Sequence, residues 1–219
     1  MIQLNVPLIR QAKMSSDCGP AALAMLLEYH GVGYDFEEMK KGLGVYPWGT
    51  VTPQLGTYLL RHGFDVEIIT MHPSLFSIHS QFQDADSLKR YLKSLEGSMK
   101  GEFDPIALTH FIEFVECGGR ISPRVPTLHD IQDEIESGRP VLAPITHWFL
   151  HETASLPRFT IHFNIVSGVD NESIFVNDPD WGDTLGGKHQ ISRENFLYAL
   201  YASAKGGIDD ACILKAQKQ

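Results

Sequence analysis

The run Ala21-Ala22-Leu23-Ala24-Met25-Leu26-Leu27 constrains this chain more than any other stretch. It consists of strong helix formers and is apolar on every side, so the helix it predicts offers no face to water and must lie at the centre of the fold. Its start is marked just upstream. Ser15, Ser16, Asp17 and Gly19 offer cap chemistry, and Pro20 suits a first turn, where a missing N–H costs nothing. Gly31, after Glu28-Tyr29-His30, makes a natural stop. Cys18 therefore stands at the N-terminal end of a central, buried helix.

Such a helix needs partners all round it. Helices are predicted over 36–43, opened by Asp35, and over 53–62, ended by Gly63. Further helices are predicted over 87–95, 105–115 and 128–137, the last ended by Gly138. Residues 4–9 read as a short opening strand, and 64–69 alternate apolar and acidic residues like a half-exposed strand. After Gly138 the pattern turns to strands. Residues 140–145 form a short apolar run of the kind that fills a sheet interior. Residues 158–168 and 173–176 follow, joined by the turn-rich Val169-Asp170-Asn171-Glu172 as in a hairpin. Residues 192–202 read as a helix and 211–215 as a last strand. Helices first and strands second describe an α+β domain, with a helical N-terminal part on a C-terminal antiparallel sheet. At 219 residues the chain reads as one domain spanning 1–219, since two full cores would be cramped. The stretch 70–126 carries the weakest pattern. It reads as a helical insertion padding the core, with a lid over a cleft as the alternative.

Composition excludes several function classes. The formal net charge of -9 argues against binding nucleic-acid phosphates, which needs a basic face, and disfavours an anionic membrane surface. No run of about 18 apolar residues is present to span a bilayer. The opening Met1-Ile2-Gln3-Leu4-Asn5-Val6-Pro7 lacks the basic-then-apolar pattern of a cleaved signal. Cys18, Cys117 and Cys212 cannot all pair with one another, so a reducing, cytoplasmic setting is the expectation; export by a route without a cleaved signal would leave the same sequence. There is no P-loop, dinucleotide fingerprint or serine elbow, and no cofactor is expected.

A thiolate nucleophile needs a stabilised anion, a base within hydrogen-bond reach and donors for the developing oxyanion. A helix start supplies the first through its unpaired N–H groups and positive dipole end. Cys18 sits there; its bland alternative is a small buried hydrophobe. His162 lies in the predicted strand, flanked by Ile161 and Phe163, where its ring must find a polar partner. It is either a satisfied core histidine or a base. The next strand ends at Asn177-Asp178-Pro179, and a hairpin return brings such an end toward its partner strand. An amide or carboxylate there can reach the imidazole and fix its tautomer, although turn chemistry alone would also explain the residues. His147 and His151 have the i, i+4 spacing of a zinc pair, but no glutamate follows the first and no third ligand is evident, so no metal is expected. Trp48 and Trp181 sit in aromatic turns and are candidates to line a substrate groove.

Three blocks in order resemble the C39-like cysteine peptidases: Gln11 with Asp17-Cys18-Gly19-Pro20-Ala21-Ala22-Leu23, then His162-Phe163-Asn164-Ile165-Val166-Ser167-Gly168, then Asn177-Asp178-Pro179-Asp180-Trp181-Gly182. These are papain-like enzymes related to the domains that cut double-glycine leader peptides. The resemblance covers roughly the first seventy and last ninety residues. It implies a papain-like fold with Cys18 as nucleophile, His162 as general base and then acid, and Asp178 as the orienting carboxylate. It also implies that Gln11 and the Cys18 N–H form the oxyanion hole. Gln11 stands seven residues before Cys18, one more than in the leader peptidases. The implied function is cysteine-dependent acyl transfer, with hydrolysis of a peptide or amide bond in a peptide or protein substrate as the default. A peptidyl transferase or deamidase on the same triad is one alternative, and a catalytically inactive papain-like binding module is another.

Overall fold

In the computed structural model, described over residues 1–100, 104–146, 161–180, 186–203 and 211–219, helix α1 runs Cys18–Tyr29 and is buried from Gly19 through Leu27. The expected helices follow as α2 (Phe36–Leu43) and α3 (Thr52–Arg61), then α4 (Ala85–Ser94), α5 (Asp104–Glu116) and α6 (Leu128–Glu136). Asp35 caps α2 by accepting from the Glu38 N–H at 2.9 Å, and Gly44 closes it in the left-handed region. Asp17 occupies the N-cap position of α1 but its side chain accepts no capping hydrogen bond. Its carboxylate pairs instead with Lys40 of α2 at 2.9 Å, so the charge expected to cap α1 ties the two helices together.

The strands among the described residues are β1 (Ile2–Gln3), β2 (Phe64–Thr70), β3 (Arg120–Pro123), β4 (Val141–Thr146), β5 (Ile161–Val169), β6 (Ser173–Asn177), β7 (Lys188–Ser192) and β8 (Cys212–Lys218), with helix α7 (Arg193–Ala202) between β7 and β8. They form one sheet in the order β3-β2-β8-β4-β5-β6-β7, with β1 added to β5. Every pairing is antiparallel except β2 with β3. The C-terminal β8 lies inside the sheet and pairs with β2 from Phe64↔Lys218 to Thr70↔Cys212, which joins the first half of the chain to the last.

Helices cover both faces. Leu142, Phe163, Ile165 and Leu214 belong to the cluster that holds α1, α3 and α5, while Val141, Ala143, Ile145, Val166 and Val176 belong to a second cluster with α6 and α7. Alternate residues of one strand thus enter different cores, which is why β4 is apolar nearly throughout. Pro144 lies inside β4 opposite Phe163. In the stretch 70–126, Leu88, Leu92, Phe111 and Phe114 enter the same cluster as α1, and β3 adds to the sheet edge beside β2.

The opening strand expected over 4–9 is not formed; β1 ends at Gln3. Pro7 has no N–H for a ladder, and the carbonyls of Val6 and Pro7 accept from the Asn177 side chain at 3.0 and 3.4 Å instead.

Candidate active site

Cys18 is the first residue of α1 and is half-buried, whereas Cys117 is exposed and Cys212 is buried against the Thr52 hydroxyl at 3.1 Å. None of the three is in a disulfide. The approach of α1 to the sheet depends on Gly19. A Cβ there would lie 2.0 Å from Thr50 Oγ1 and 3.3 Å from the Phe163 ring, so any larger residue would push the start of the helix away from β5.

His162 is the second residue of β5 and is 5% exposed. Its Nε2 lies 2.5 Å from Asp178 Oδ1, and the Cys18 sulfur is hydrogen-bonded to the same ring. With Nε2 turned to the carboxylate, Nδ1 is the nitrogen left to face sulfur. Burial alone would lower the imidazole pKa. The hydrogen bonds to Asp178 and Cys18, together with their charges, overcome that and raise it to about 10. Asp178 is fully buried, which by itself raises a carboxyl pKa. The hydrogen bond from His162, the nearby His189 ring, the His162 charge and the Asp180 N–H at 2.8 Å hold it well below the usual carboxylate range instead. At neutral pH the pair is therefore imidazolium and carboxylate.

The hairpin separates the two candidates at its end. Asn177, the last residue of β6, turns its amide to the carbonyls of Val6 and Pro7 and accepts from Ser167 Oγ at 3.3 Å. Asp178, one position on, points the other way and meets His162. Strand alternation makes this choice, because neighbours project to opposite faces. Asn164 Nδ2 donates to the His162 carbonyl at 2.8 Å.

Gln11 is buried, and its position is set from two sides. Its backbone N–H donates to the Pro179 carbonyl at 2.9 Å, beside Asp178, and its Nε2 donates to the Ser15 carbonyl at 3.2 Å, in the loop that leads to Cys18. Trp48 lies half-buried in the turn closed by the Tyr46–Gly49 bridge, with its ring stacked on Tyr46 at 4.7 Å. That turn is joined to the Cys18 loop by Ser16 Oγ, which donates to the Pro47 carbonyl at 2.8 Å. Trp181, His147 and His151 lie outside the described residues. Among the described residues, no group of three His, Cys, Asp or Glu is arranged to hold a metal ion.

Sequence reasoning missed His189. Its Nε2 lies 3.6 Å from Asp178 Oδ2, and its ring is almost wholly buried. The signal available was slight, because β7 is a five-residue edge strand without a long apolar alternation.

The fold is papain-like: a buried helix beginning at a cysteine packs against a sheet whose strand carries the histidine. The chain belongs to the Peptidase_C39 like family, whose model matches residues 3–207. Among solved structures it is similar to the peptidase domain of Streptococcus ComA, a bifunctional ABC transporter involved in a quorum sensing pathway, at 14% identity and a TM-score of 0.52 over 98% of this chain and 100% of that one. It is also similar to a double glycine motif protease from an AMS/PCAT transporter, solved in complex with the leader peptide, at 16% identity and a TM-score of 0.52 over 99% of this chain and 94% of that one. No curated protein matches the sequence significantly. Family membership supports a cysteine peptidase. No helix among the described residues is long and apolar enough to cross a membrane.

Proposed function

We infer that the chain is a cysteine peptidase acting through Cys18, His162 and Asp178 on a peptide or protein substrate. The observation that carries this reading is the continuous hydrogen-bonded series from the sulfur at the start of α1, through a buried imidazole, to a fully buried carboxylate. Such a series serves acyl transfer. The Cys18 thiolate attacks the scissile carbonyl carbon, and the carbonyl electrons move onto oxygen. The Cys18 N–H and the Gln11 amide stabilise that oxyanion, each such donor being worth about 10²–10³ in rate. As the oxyanion collapses, the imidazolium of His162 passes a proton to the departing amine, leaving a thioester on Cys18. His162 then takes a proton from water, the hydroxide attacks the thioester, and the thiolate leaves. Asp178 keeps the ring oriented and its cation stabilised throughout.

The relative solved with its leader peptide supports a peptide chain as the substrate class here. The stacked Tyr46 and Trp48, joined to the Cys18 loop through Ser16, are proposed as one wall of the groove. Trp181, next in sequence to the Asp178 turn, is proposed as a second contact. The whole chain, 1–219, is proposed to act as one domain, with 70–126 as helical padding. The entry of Leu88, Leu92, Phe111 and Phe114 into the α1 core supports this.

Thiol labelling tests the reading. At pH 6 the exposed Cys117 serves as an internal standard for the labelling rate. Iodoacetamide should modify Cys18 much faster than Cys117, and His162→Ala should remove the difference. Equal, slow labelling of both in the unaltered protein would sink the assignment.

A further inference from the structure

Asp178 meets a second histidine. A carboxylate removed from water needs its charge met by groups held in place. Oδ1 has His162 Nε2 at 2.5 Å and the Asp180 N–H at 2.8 Å, while Oδ2 has His189 Nε2 at 3.6 Å, an ion-pair distance longer than a hydrogen bond. The His189 side chain is 4% exposed. Register explains the meeting. His189 in β7 faces Val176 in β6, and alternation carries Asp178, two residues beyond Val176, to the same side. His162 reaches the same carboxylate from β5, the strand on the other flank of β6. The backbones are locked as well. The Asp178 N–H donates to the Gly187 carbonyl at 2.8 Å, and Gly187, at φ +79°, approaches so closely that a Cβ would lie 2.7 Å from the Asp178 carbonyl oxygen.

We propose that His189 is a positioning residue of this site: its ring holds Oδ2 of Asp178 so that Oδ1 stays on His162. The terminal torsion of an aspartate is broad, so a carboxylate gripped at one oxygen can turn its plane, and a second contact from the opposite strand removes that freedom. This inference rests on reading Cys18, His162 and Asp178 as the catalytic set. Its test includes a measurement that needs neither turnover nor a reactive thiol.

Because Nε2 makes the contact, His189→Gln keeps a donor of similar reach, whereas His189→Leu removes it and His189→Asn is one carbon too short. In a Cys117→Ser background, two quantities are followed: the iodoacetamide rate at Cys18 at pH 6, and the His162 titration midpoint from imidazole NMR. The Leu and Asn variants are expected to lose about tenfold in rate, the low end of the 10–100-fold cost of removing partners behind metal-bound histidines. They are also expected to move the His162 midpoint down by about one pH unit, the equivalent of that factor. The Gln variant should stay near wild type in both. A purely structural role would lower the melting temperature without moving the midpoint in the folded protein. The inference is overturned by a folded Leu or Asn variant with wild-type rate and midpoint. Failure of both to fold overturns it too, since His189 would then be a packing residue. If Cys18 of the unaltered protein labels no faster than an ordinary thiol, the catalytic reading fails instead, and the His162 midpoint still decides what His189 does.

Discussion

Replacing Asp178 with asparagine keeps the size of the side chain and removes its charge, which isolates what the carboxylate does for His162. The imidazolium is held by a charge-assisted hydrogen bond of 2.5 Å in a site from which water is almost excluded. Hydrogen bonds to charged groups contribute about 1.5–3 kcal/mol. At about 1.4 kcal/mol per pH unit, their loss lowers the proton affinity of the ring by about one to two units. The sign follows from the direction of the shift. His162 is raised from 6.5 to about 10, so its cation stabilises the folded state fully below pH 6.5, and that contribution disappears as pH rises through about 10. In Asp178→Asn the loss should come one to two units earlier. Histidine-labelled protein followed by imidazole NMR from pH 5 to 11, with the His162 signal assigned by its absence in His162→Gln, reads the midpoint directly. Peptide turnover should fall about ten- to hundredfold, the same free energy expressed as rate, because an amide can still orient the ring. A variant whose midpoint coincides with that of wild type would refute the electrostatic reasoning, whatever its activity.

Three other perturbations separate roles that lie close together in sequence. Gln11→Ala should lower peptide turnover about 10²–10³-fold while leaving the alkylation rate of Cys18 unchanged, because alkylation forms no oxyanion; a parallel fall in both would make Gln11 a structural support. Asn177→Ala should cost about 1–3 kcal/mol in urea unfolding by stranding the carbonyls it satisfies near Pro7, without moving the His162 midpoint. Gly19→Ala should cost about 1–3 kcal/mol by the same assay, and Thr50→Ala in the same chain should recover much of it by removing the hydroxyl that the new Cβ would strike; no recovery would place the strain elsewhere.

Local chemistry made much of this molecule legible. Helix α1 was readable because its residues favour a helix individually and leave no polar side, and Cys18 at its start followed from Pro20 and the apolar run alone. The β5–β6 hairpin and β8 were readable for similar reasons. The two short strands β3 and β7 were not, since four or five residues at a sheet edge carry little periodicity and are held by their neighbours. Residues 4–9 look like a strand by composition but lose that role to an amide 171 residues away in sequence, Asn177 reaching Val6.

A buried helix opening at a cysteine, a histidine in a later strand, and an Asn-Asp turn close enough to serve it are all written in the order of the residues. The folded chain adds that Asp178 and not Asn177 faces the ring, that the Asp17 carboxylate goes to Lys40 and not to its own helix, and that His189 stands behind Asp178. One cause underlies all three. Helix propensity and alternation act over a few neighbouring residues. Which side chain meets which across two strands depends on register, and register is set by packing between segments far apart in the chain.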